Sequence, residues 1–251
     1  MQPYLEIFGN KIPSYGFLLA VAYAAAFICA LLRRKKYDMS LLDTTVAMFM
    51  AGFGALMGGK IFYVLQGIPE FIYLHNETGM NFLEYFNSAG FIYYGGFIGC
   101  MLMLLLCAKV YAIPALKLTD ALLPALPLAQ SIGRVGCFLA GCCYGMPLKG
   151  GIIMTQQSHE MFGVALLPVQ LIEAVACIAL FIVMLVYESK PRRPGGMLCF
   201  YFVGYGIIRF VLEFFRYDDI RGFVSVLSVS QWISLGLIAV GLVVFIIRRK
   251  K

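Results

Sequence analysis

The sequence predicts an all-α integral membrane protein with seven transmembrane helices, its N-terminus outside and its C-terminus in the cytoplasm. Of its 251 residues, 61% are hydrophobic and 13% are charged, whereas soluble domains carry roughly 25% charged residues. The apolar residues are concentrated in stretches of about 17 to 25 residues, a length that crosses a bilayer as one helix. Seven such stretches cover residues 14–32, 44–66, 90–111, 119–141, 164–187, 197–216 and 226–247.

The connections between these stretches are short, which leaves little room for a soluble domain. Pro124 and Pro127 interrupt the fourth stretch, but prolines are tolerated in a transmembrane helix where neighbouring groups satisfy the freed backbone. We expect residues 67–89 and 149–163 to form external segments, the second covering a site from outside. No convincing internal repeat is present, so residues 1–251 are predicted to form a single membrane domain.

The distribution of basic residues predicts the orientation, because short cytoplasmic loops carry an excess of lysine and arginine. Thirteen of the 20 basic residues are predicted on one side of the bilayer. The net charge of +7 therefore reflects topology, and no motif supports nucleic-acid binding. The thirteen residues are Arg33 to Lys36, Lys109, Lys117, Lys190, Arg192, Arg193 and Arg248 to Lys251.

Several charged side chains lie within the apolar stretches. An arginine at membrane depth, such as Arg134, costs about 2.5 to 3.5 kcal/mol on insertion scales, so it requires an anionic partner or a polar cavity. Lys60 either reaches the outer interface or faces an internal anion. Arg209 and Glu213, four residues apart, share one helix face; they form either a structural ion pair or part of a site. Glu173 is also expected to be paired.

These groups converge on the outer half of the predicted bundle. Two arginines can hold one phosphate in a bidentate manner, and the glycine-rich turn after Arg134 offers backbone N–H groups to an anion. A phospholipid headgroup is the natural anion at this depth. The carboxylates of Glu173 and Glu213 would orient the arginines or accept a proton.

Several motifs point to one known family over most of the chain. The most specific is Gly133-Arg134-Val135-Gly136, which opens a segment that closes at Gly145. The other motifs are Tyr15-Gly16, the glycine-rich stretch ending at Lys60 and Tyr63, Pro168 with Gln170 and Glu173, Gly204 to Arg216, and Ser228 with Gln231. In these motifs the chain resembles the bacterial prolipoprotein diacylglyceryl transferase family.

The resemblance implies an enzyme of the bacterial cytoplasmic membrane that moves a diacylglyceryl group from phosphatidylglycerol onto the cysteine thiol of a lipoprotein precursor, releasing glycerol phosphate. Its partners would be that anionic phospholipid and the precursor's signal peptide, and no cofactor or metal is expected. Catalytic roles are expected for Tyr94, Arg134 and Glu213. Substrate binding is expected from Tyr15, Lys60, Gly95, Gly96, Gly145, Gln170, Glu173 and Arg209.

The chain departs from the family pattern where the thiol chemistry is expected. Tyr94 and Leu167 each replace a histidine of the family, Cys137 replaces an asparagine, Cys142 replaces a glutamate, and Lys60 replaces the usual arginine. A neutral tyrosine, with a reference pKa of about 10, is a poor base. Glu213 is therefore the better candidate for the base that deprotonates the acceptor thiol.

The three cysteine thiols of this segment admit three interpretations. Cys137, Cys142 and Cys143 are small packing residues, or protein nucleophiles in a two-step transfer, or part of a redox or metal site. Metal binding is the least favoured, because no histidine or aspartate lies within ligand spacing. Two other functions stay open for the whole chain: a paralogue with a different acceptor, and a phospholipid carrier without transfer chemistry. A structural scaffold ranks last, because it leaves the buried charges without a purpose.

Overall fold

Helices make up most of the chain, as the long apolar stretches predict. The computed structural model describes residues 2–7, 9–88, 90–155, 159–188, 194–217 and 223–250. The helices are α1 (Ser14–Arg33), α2 (Leu41–Gln66), α3 (Ile68–Thr78), α4 (Phe82–Ser88), α5 (Tyr93–Val110), α6 (Ala115–Leu122), α7 (Ala125–Ala140), α8 (Val169–Glu188), α9 (Gly196–Leu212) and α10 (Val229–Lys250). Short 3-10 helices, Arg34–Tyr37 and Glu213–Phe215, extend α1 and α9.

Within the described ranges, six short strands form three antiparallel pairs. These pairs are β1 (Tyr4–Ile7) with β2 (Asn10–Pro13), β3 (Pro147–Ile153) with β4 (Ala165–Leu166), and β5 (Phe223–Val224) with β6 (Leu227–Ser228). The external segment predicted at 149–163 therefore contains most of β3. Residues 156–158 of that segment lie outside the described residues.

Five helices of the described chain are long and apolar enough to cross a membrane. They are Ser14–Tyr37, Leu41–Gln66, Val169–Glu188, Gly196–Phe215 and Val229–Ile247. Each coincides, within a few residues, with one of the predicted stretches. The prediction of a helical membrane protein with several spans is confirmed.

The third and fourth predicted stretches form shorter helices. The third contains the apolar helix Tyr94–Val110, and the fourth is a pair, α6 and α7, bent by 41°. Pro124 lies at the break between them, where it can neither donate a backbone hydrogen bond nor fit inside a continuous helix. Counting the bent pair as one span gives six apolar spans in the described chain.

The chain divides into two compact units. The first unit contains Met1–Ala30 and Thr119–Lys251, and the second contains Leu31–Leu118. The single-domain organisation stays a prediction. Of the basic residues used to predict orientation, Lys190, Arg192, Arg193 and Lys251 lie outside the described residues.

The second unit is built on the close packing of α2 against α5. A Cβ atom added at Gly54 would meet the carbonyl oxygen of Gly99, and one added at Gly58 would meet that of Gly95. Glycines on both helices therefore let the two backbones touch, which is the typical way small residues pack helices in a bilayer. A side chain larger than hydrogen at these glycines would push α2 and α5 apart.

The first unit is held together by side chains from α6, α8 and α9. Cys177, Met184 and Tyr201 are buried together in its apolar core. Asp120, itself buried, accepts hydrogen bonds from the backbone N–H groups of Gly195 at 2.5 Å and Met197 at 3.0 Å. A carboxylate at this position accepts hydrogen bonds from backbone N–H groups at the start of α9. Its negative charge also lies favourably at the positive end of the helix dipole.

Three of the described helices, α2, α4 and α10, begin with reciprocal bonds of the capping-box type, in which a side chain at each end of the first turn bonds the other's backbone. At α2 the Asp43 N–H donates to Ser40 Oγ at 2.9 Å, and the Ser40 N–H donates to Asp43 Oδ2 at 3.4 Å. At α10 the Gln231 N–H donates to Ser228 Oγ at 3.2 Å, and the Ser228 N–H donates to Gln231 Oε1 at 2.9 Å. The Ser228 and Gln231 motif thus fixes where the last helix begins.

Candidate functional site

A network of arginines and glutamates lies in the first unit. Glu173 Oε2 is 3.0 Å from Arg134 Nε and 3.7 Å from an Arg209 terminal nitrogen. Glu213 Oε2 is 2.6 Å from the other terminal nitrogen of Arg209 and 3.8 Å from Arg216. Glu173 and Glu213 are both 2% exposed. The expected pairing of Arg209 with Glu213, and of Glu173 with a cation, is confirmed.

The elements of the first unit explain this convergence. Arg134 comes from α7, Glu173 from the first turns of α8, and Arg209 from the last turn of α9. Glu213 is four residues beyond Arg209, at the start of the 3-10 extension, so both stay on one face. After this extension the backbone becomes extended at Arg216, which pairs with Gly145.

Among the residues that the structure describes, three guanidinium groups face two carboxylates in this network, which gives an excess of one positive charge. The Nη1 nitrogen of Arg209 is buried and has no hydrogen-bond partner among the described residues. Its 3.7 Å distance to Glu173 is too long for a hydrogen bond. A buried N–H donor without a partner costs about 1 to 3 kcal/mol, so this nitrogen and the excess charge together favour a bound anion.

Tyr205 and Ser230 hold the network in place. The Tyr205 hydroxyl donates to Glu173 Oε1 at 3.3 Å, and Arg209 donates to Ser230 Oγ at 3.2 Å. Neither residue was predicted from the sequence. The signal was available for Tyr205, which precedes Arg209 by four residues and therefore lies on the same face of α9.

Gln130 is a further residue that the sequence reasoning missed. It precedes Arg134 by four residues on α7, so the two share a helix face. Both polar atoms of its side-chain amide are buried and have no hydrogen-bond partner among the described residues. An amide in this state can bind a hydroxyl or ester oxygen of a ligand.

The turn that follows α7 has the hydrogen bonds of a Schellman motif. The Cys142 N–H donates to the Cys137 carbonyl at 3.1 Å, and the Gly141 N–H donates to the Phe138 carbonyl at 3.2 Å. Gly141 has a φ of 77°, the left-handed conformation that this motif requires. The motif folds Cys142 back over the last turn of α7.

Three thiols meet at this turn. The Sγ atoms of Cys137, Cys142 and Cys143 all lie within 4.8 Å of one another. Cys137 is buried, Cys143 is half-buried and Cys142 is exposed. Cys143 has a φ of 61°, a left-handed conformation that is rare for a residue other than glycine.

The thiol cluster also has a defined electrostatic environment. Hydrogen bonding with the Cys137 and Cys142 thiols lowers the pKa of the Cys143 thiol, and the positive charges of Arg216 and Arg134 lower it further. Burial of Cys143 acts in the opposite direction. The sequence predicted no metal because histidine and aspartate are absent nearby, but this reason does not apply to a site made of thiolates alone.

Gln170 and Gly145 fix this turn to its surroundings. Gln170, 2% exposed, donates from Nε2 to the Cys142 carbonyl at 2.7 Å. The Gly145 N–H donates to the Leu167 carbonyl at 3.2 Å, and Gly145 pairs with Arg216 in an antiparallel bridge. Because Gly141, Cys142 and Gly145 all donate within the chain, these N–H groups do not form the anion site that the glycine-rich turn predicts.

Tyr15 and the external segment also lie in the first unit. A Cβ atom added at Gly136 would be 3.4 Å from a ring carbon of Tyr15, so α1 approaches α7 two residues beyond Arg134. The His159 ring packs edge-on against Tyr144, with 5.0 Å between ring centroids. The segment that includes His159 therefore reaches the turn that carries the thiols.

Lys60 lies in the second unit, and backbone carbonyls are its hydrogen-bond partners. The expectation that it reaches the outer interface stays a prediction. Its ammonium donates to the carbonyls of Phe86 at 2.7 Å and Asn87 at 3.3 Å. It also lies 4.7 Å from the centroid of the Phe86 ring. A cation bound to the last carbonyls of α4 is favoured by the partial negative charge at a helix C-terminus.

The remaining predicted residues form the start of α5 in the second unit. Tyr94 is 40% exposed. A Cβ atom added at Gly95 would be 2.5 Å from the Phe62 Cβ, and one added at Gly96 would be 3.0 Å from the Ala55 carbonyl oxygen. Gly95 and Gly96 therefore pack against α2, and their part in substrate binding stays a prediction.

Known proteins match nearly the whole chain. The family model of the prolipoprotein diacylglyceryl transferases matches residues 3–247. The phosphatidylglycerol–prolipoprotein diacylglyceryl transferase of Clostridium tetani is 37% identical over 253 residues, covering 99% of this chain and 98% of the relative. The phosphatidylglycerol–prolipoprotein diacylglyceryl transferase 2 of Clostridium perfringens is 36% identical over 251 residues, covering 98% of this chain and 94% of the relative. The transferase of Bordetella avium is 29% identical over 247 residues, covering 94% and 90%.

Proposed function

Because the chain belongs to the prolipoprotein diacylglyceryl transferase family, we propose that it transfers a diacylglyceryl group from phosphatidylglycerol to the cysteine thiol of a lipoprotein precursor. The observation that carries this proposal is the positively charged network of Arg134, Arg209 and Arg216, with its buried, unpartnered Arg209 nitrogen. Arg134 of this network shares α7 with Cys137, and Arg216 pairs with Gly145 at the end of the turn that carries Cys142 and Cys143.

The reaction needs the negative charge that develops on the departing glycerol phosphate to be stabilised. Arg134 and Arg209 supply the positive charge for this: Glu173 fixes Arg134 through Nε, and Glu213 fixes Arg209 through one terminal nitrogen. Arg134 uses Nε for that contact, so its two terminal nitrogens are the donors available for a phosphate oxygen. A guanidinium fork held in this way binds phosphate with defined geometry.

The carboxylates act as positioning groups in this proposal. Oε2 of Glu213 contacts both Arg209 and Arg216, and these contacts suit an orienting role better than that of a base. Gln170 and Gly145 maintain the turn after α7, and Gln130 offers its amide to the glycerol backbone or an ester of the lipid. The catalytic role that the resemblance implies for Tyr94 stays a prediction.

We also propose that the chain spans the bacterial cytoplasmic membrane seven times, with the N-terminus outside. The third span would contain α5, and the fourth would be the bent pair α6 and α7. The distribution of basic residues supports this orientation. A fluorescent protein fused after Lys251 should fold and fluoresce in the cytoplasm, and alkaline phosphatase fused there should be inactive; active phosphatase would reverse the orientation.

The direct test is transfer by the purified chain. The protein in detergent is mixed with phosphatidylglycerol labelled in its acyl chains and a peptide containing the lipobox cysteine, and the peptide is examined by mass spectrometry. We expect a mass gain of one diacylglyceryl group in a base-stable thioether. A matched peptide with serine in place of cysteine should stay unmodified. Binding of labelled lipid without any modified peptide would favour a carrier.

A further inference from the structure

The three thiols at the end of α7 form a ligand set that the arginine network does not use. The Sγ atoms of Cys137, Cys142 and Cys143 lie within 4.8 Å of one another. A tetrahedral zinc ion, with Zn–S distances of about 2.3 Å, holds its sulfurs about 3.8 Å apart, so side-chain shifts of about 1 Å would close this set on one ion. No fourth histidine, cysteine, aspartate or glutamate joins the set within the described part of the chain.

The backbone organises these ligands without a metal. The Schellman motif places Cys142 over Cys137, and the left-handed Cys143 directs its side chain from the same turn. Gln170 holds the Cys142 carbonyl, and the Gly145 bridge to Arg216 fixes the chain two residues further on. A ligand set that is held by the fold in this way loses less entropy when the ion binds.

The charge of the surroundings suits an anionic metal centre. Three thiolates around one Zn²⁺ leave one negative charge, and a fourth thiolate leaves two. Arg134 precedes Cys137 by three residues and so shares its helix face, while Arg216 pairs with Gly145, two residues beyond Cys143. The positive charge in excess in the arginine network therefore lies where a thiolate centre needs it.

Exposure distinguishes this set from a closed structural site. Structural zinc sites have four protein ligands, whereas catalytic sites have three and keep one position for water or substrate. Here only three ligands are present in the described residues, and Cys142 is exposed while Cys137 is buried. The open side of the set is therefore the side that an incoming group can reach.

We propose that Cys137, Cys142 and Cys143 bind one zinc ion, and that the acceptor cysteine of the lipoprotein precursor becomes its fourth ligand. This inference rests on the proposed function, because the acceptor is that of the transfer reaction. A thiol that coordinates zinc is deprotonated outright, so the ion performs the activation for which the chain has no obvious histidine: Tyr94 and Leu167 occupy the positions at which the family resemblance places histidines.

The step balances without an oxidant or reductant. The acceptor thiol binds zinc and releases its proton to solvent. Its sulfur then attacks the glycerol carbon that carries the phosphate ester, forming a C–S bond while the C–O bond breaks. Glycerol phosphate leaves with the bonding electrons and is held by Arg134 and Arg209 until it takes up a proton. The zinc ion keeps its charge and its three protein thiolates.

Metal binding is tested first on the purified chain. We expect about one zinc per chain by elemental analysis, and replacement by Co²⁺ should give the absorption bands of thiolate-coordinated cobalt. Cys142→Ser, at the exposed ligand, should lower zinc affinity by at least about tenfold, whereas Cys199→Ser, which removes a buried thiol of α9, should not. Cys137→Ser serves as a second ligand variant, with thermal unfolding confirming that each variant folds. Absence of zinc and of cobalt–thiolate bands in the wild type would overturn the proposal.

The fourth ligand is tested by adding peptides to the Co²⁺ form. The lipobox cysteine peptide should shift the cobalt bands, and its serine counterpart should not. Chelation of zinc should lower the transfer rate at least about 100-fold, the range of a lost proton-transfer group, and added Zn²⁺ should restore it. Full transfer by the zinc-free chain would refute the zinc inference and leave the proposed function intact. Zinc and peptide-thiol binding without any transfer would refute the function and leave the metal site intact.

Discussion

The two units of this chain bury opposite kinds of groups. In the second unit, α2 and α5 meet through glycines, and backbone atoms of one helix touch backbone atoms of the other. In the first unit, α7, α8 and α9 bring together arginines, glutamates, an amide and thiols. The glycine contact has no chemistry of its own, whereas the polar network costs desolvation that its own ion pairs offset only in part.

This difference separates stability from function. A change of volume at the glycine contact should act on folding, because packed backbones have no space to yield. A change of charge in the first unit should act on transfer, because we propose that Arg134 and Arg209 hold the lipid phosphate.

The largest effect is expected from Arg134→Ala. Removing the guanidinium group takes away phosphate donors and leaves Glu173 with one cation fewer, so kcat/KM for phosphatidylglycerol should fall by roughly 100- to 1,000-fold. The measurement is initial-rate transfer to the lipobox peptide. Arg34→Ala, at the end of α1, is the matched control and should retain wild-type rates. An Arg134→Ala rate within threefold of the wild type would remove the phosphate role.

Glu173→Gln should have the next largest effect. The variant keeps the size of the side chain but loses the charge that positions Arg134 and Arg209, and a misplaced guanidinium group should lower transfer by about 10- to 100-fold. We expect the KM for phosphatidylglycerol to rise more than kcat falls. A purely structural role predicts instead a lower melting temperature with unchanged KM for the folded fraction.

Gly99→Ala tests the glycine contact of the second unit. Its Cβ would collide with the carbonyl of Gly54 and lie 2.9 Å from the Gly58 Cα, so the free energy of unfolding should fall by about 1 to 3 kcal/mol. Gly236→Ala in α10 is the control, because a Cβ there meets nothing within 4 Å. Equal stabilities of the two variants in detergent denaturation would show that the α2–α5 contact is loose.

The smallest effect is expected from Lys60→Met. The variant loses two hydrogen bonds to the end of α4 and a cation–π contact, and we expect a destabilisation of about 1 kcal/mol. Limited proteolysis should cut residues 67–90 faster as a result. Lys60→Arg keeps the positive charge and should restore the wild-type cutting rate. A loss of transfer by Lys60→Met at unchanged proteolysis would instead place Lys60 at the substrate.

Features that depend on neighbouring residues could be predicted from the sequence. The five long apolar helices follow from stretches that only a bilayer accommodates, and the Arg209–Glu213 pair follows from a spacing of four. The break between α6 and α7 lies at Pro124, one of the prolines that interrupt the fourth stretch. The Schellman turn could also have been recognised, because Gly141 follows the last apolar residues of α7.

Features that depend on tertiary packing could not be predicted. Glu173 accepts Arg134 and Tyr205 because three helices meet there, and no spacing along the chain encodes that meeting. Lys60 reaches carbonyls that lie 26 and 27 residues later in the chain. The proximity of three sulfurs likewise depends on a turn whose direction only the fold determines.

The most direct test of the account compares single-turnover transfer by wild type, Arg134→Ala and Gly99→Ala at equal concentrations of folded protein. We predict that wild type and Gly99→Ala convert the lipobox cysteine peptide at similar rates per folded molecule, while Arg134→Ala is slower by at least about 100-fold. Similar rates for Arg134→Ala and wild type, or no thioether product from any of the three proteins, would contradict the central claim that the arginine network of the first unit supports diacylglyceryl transfer.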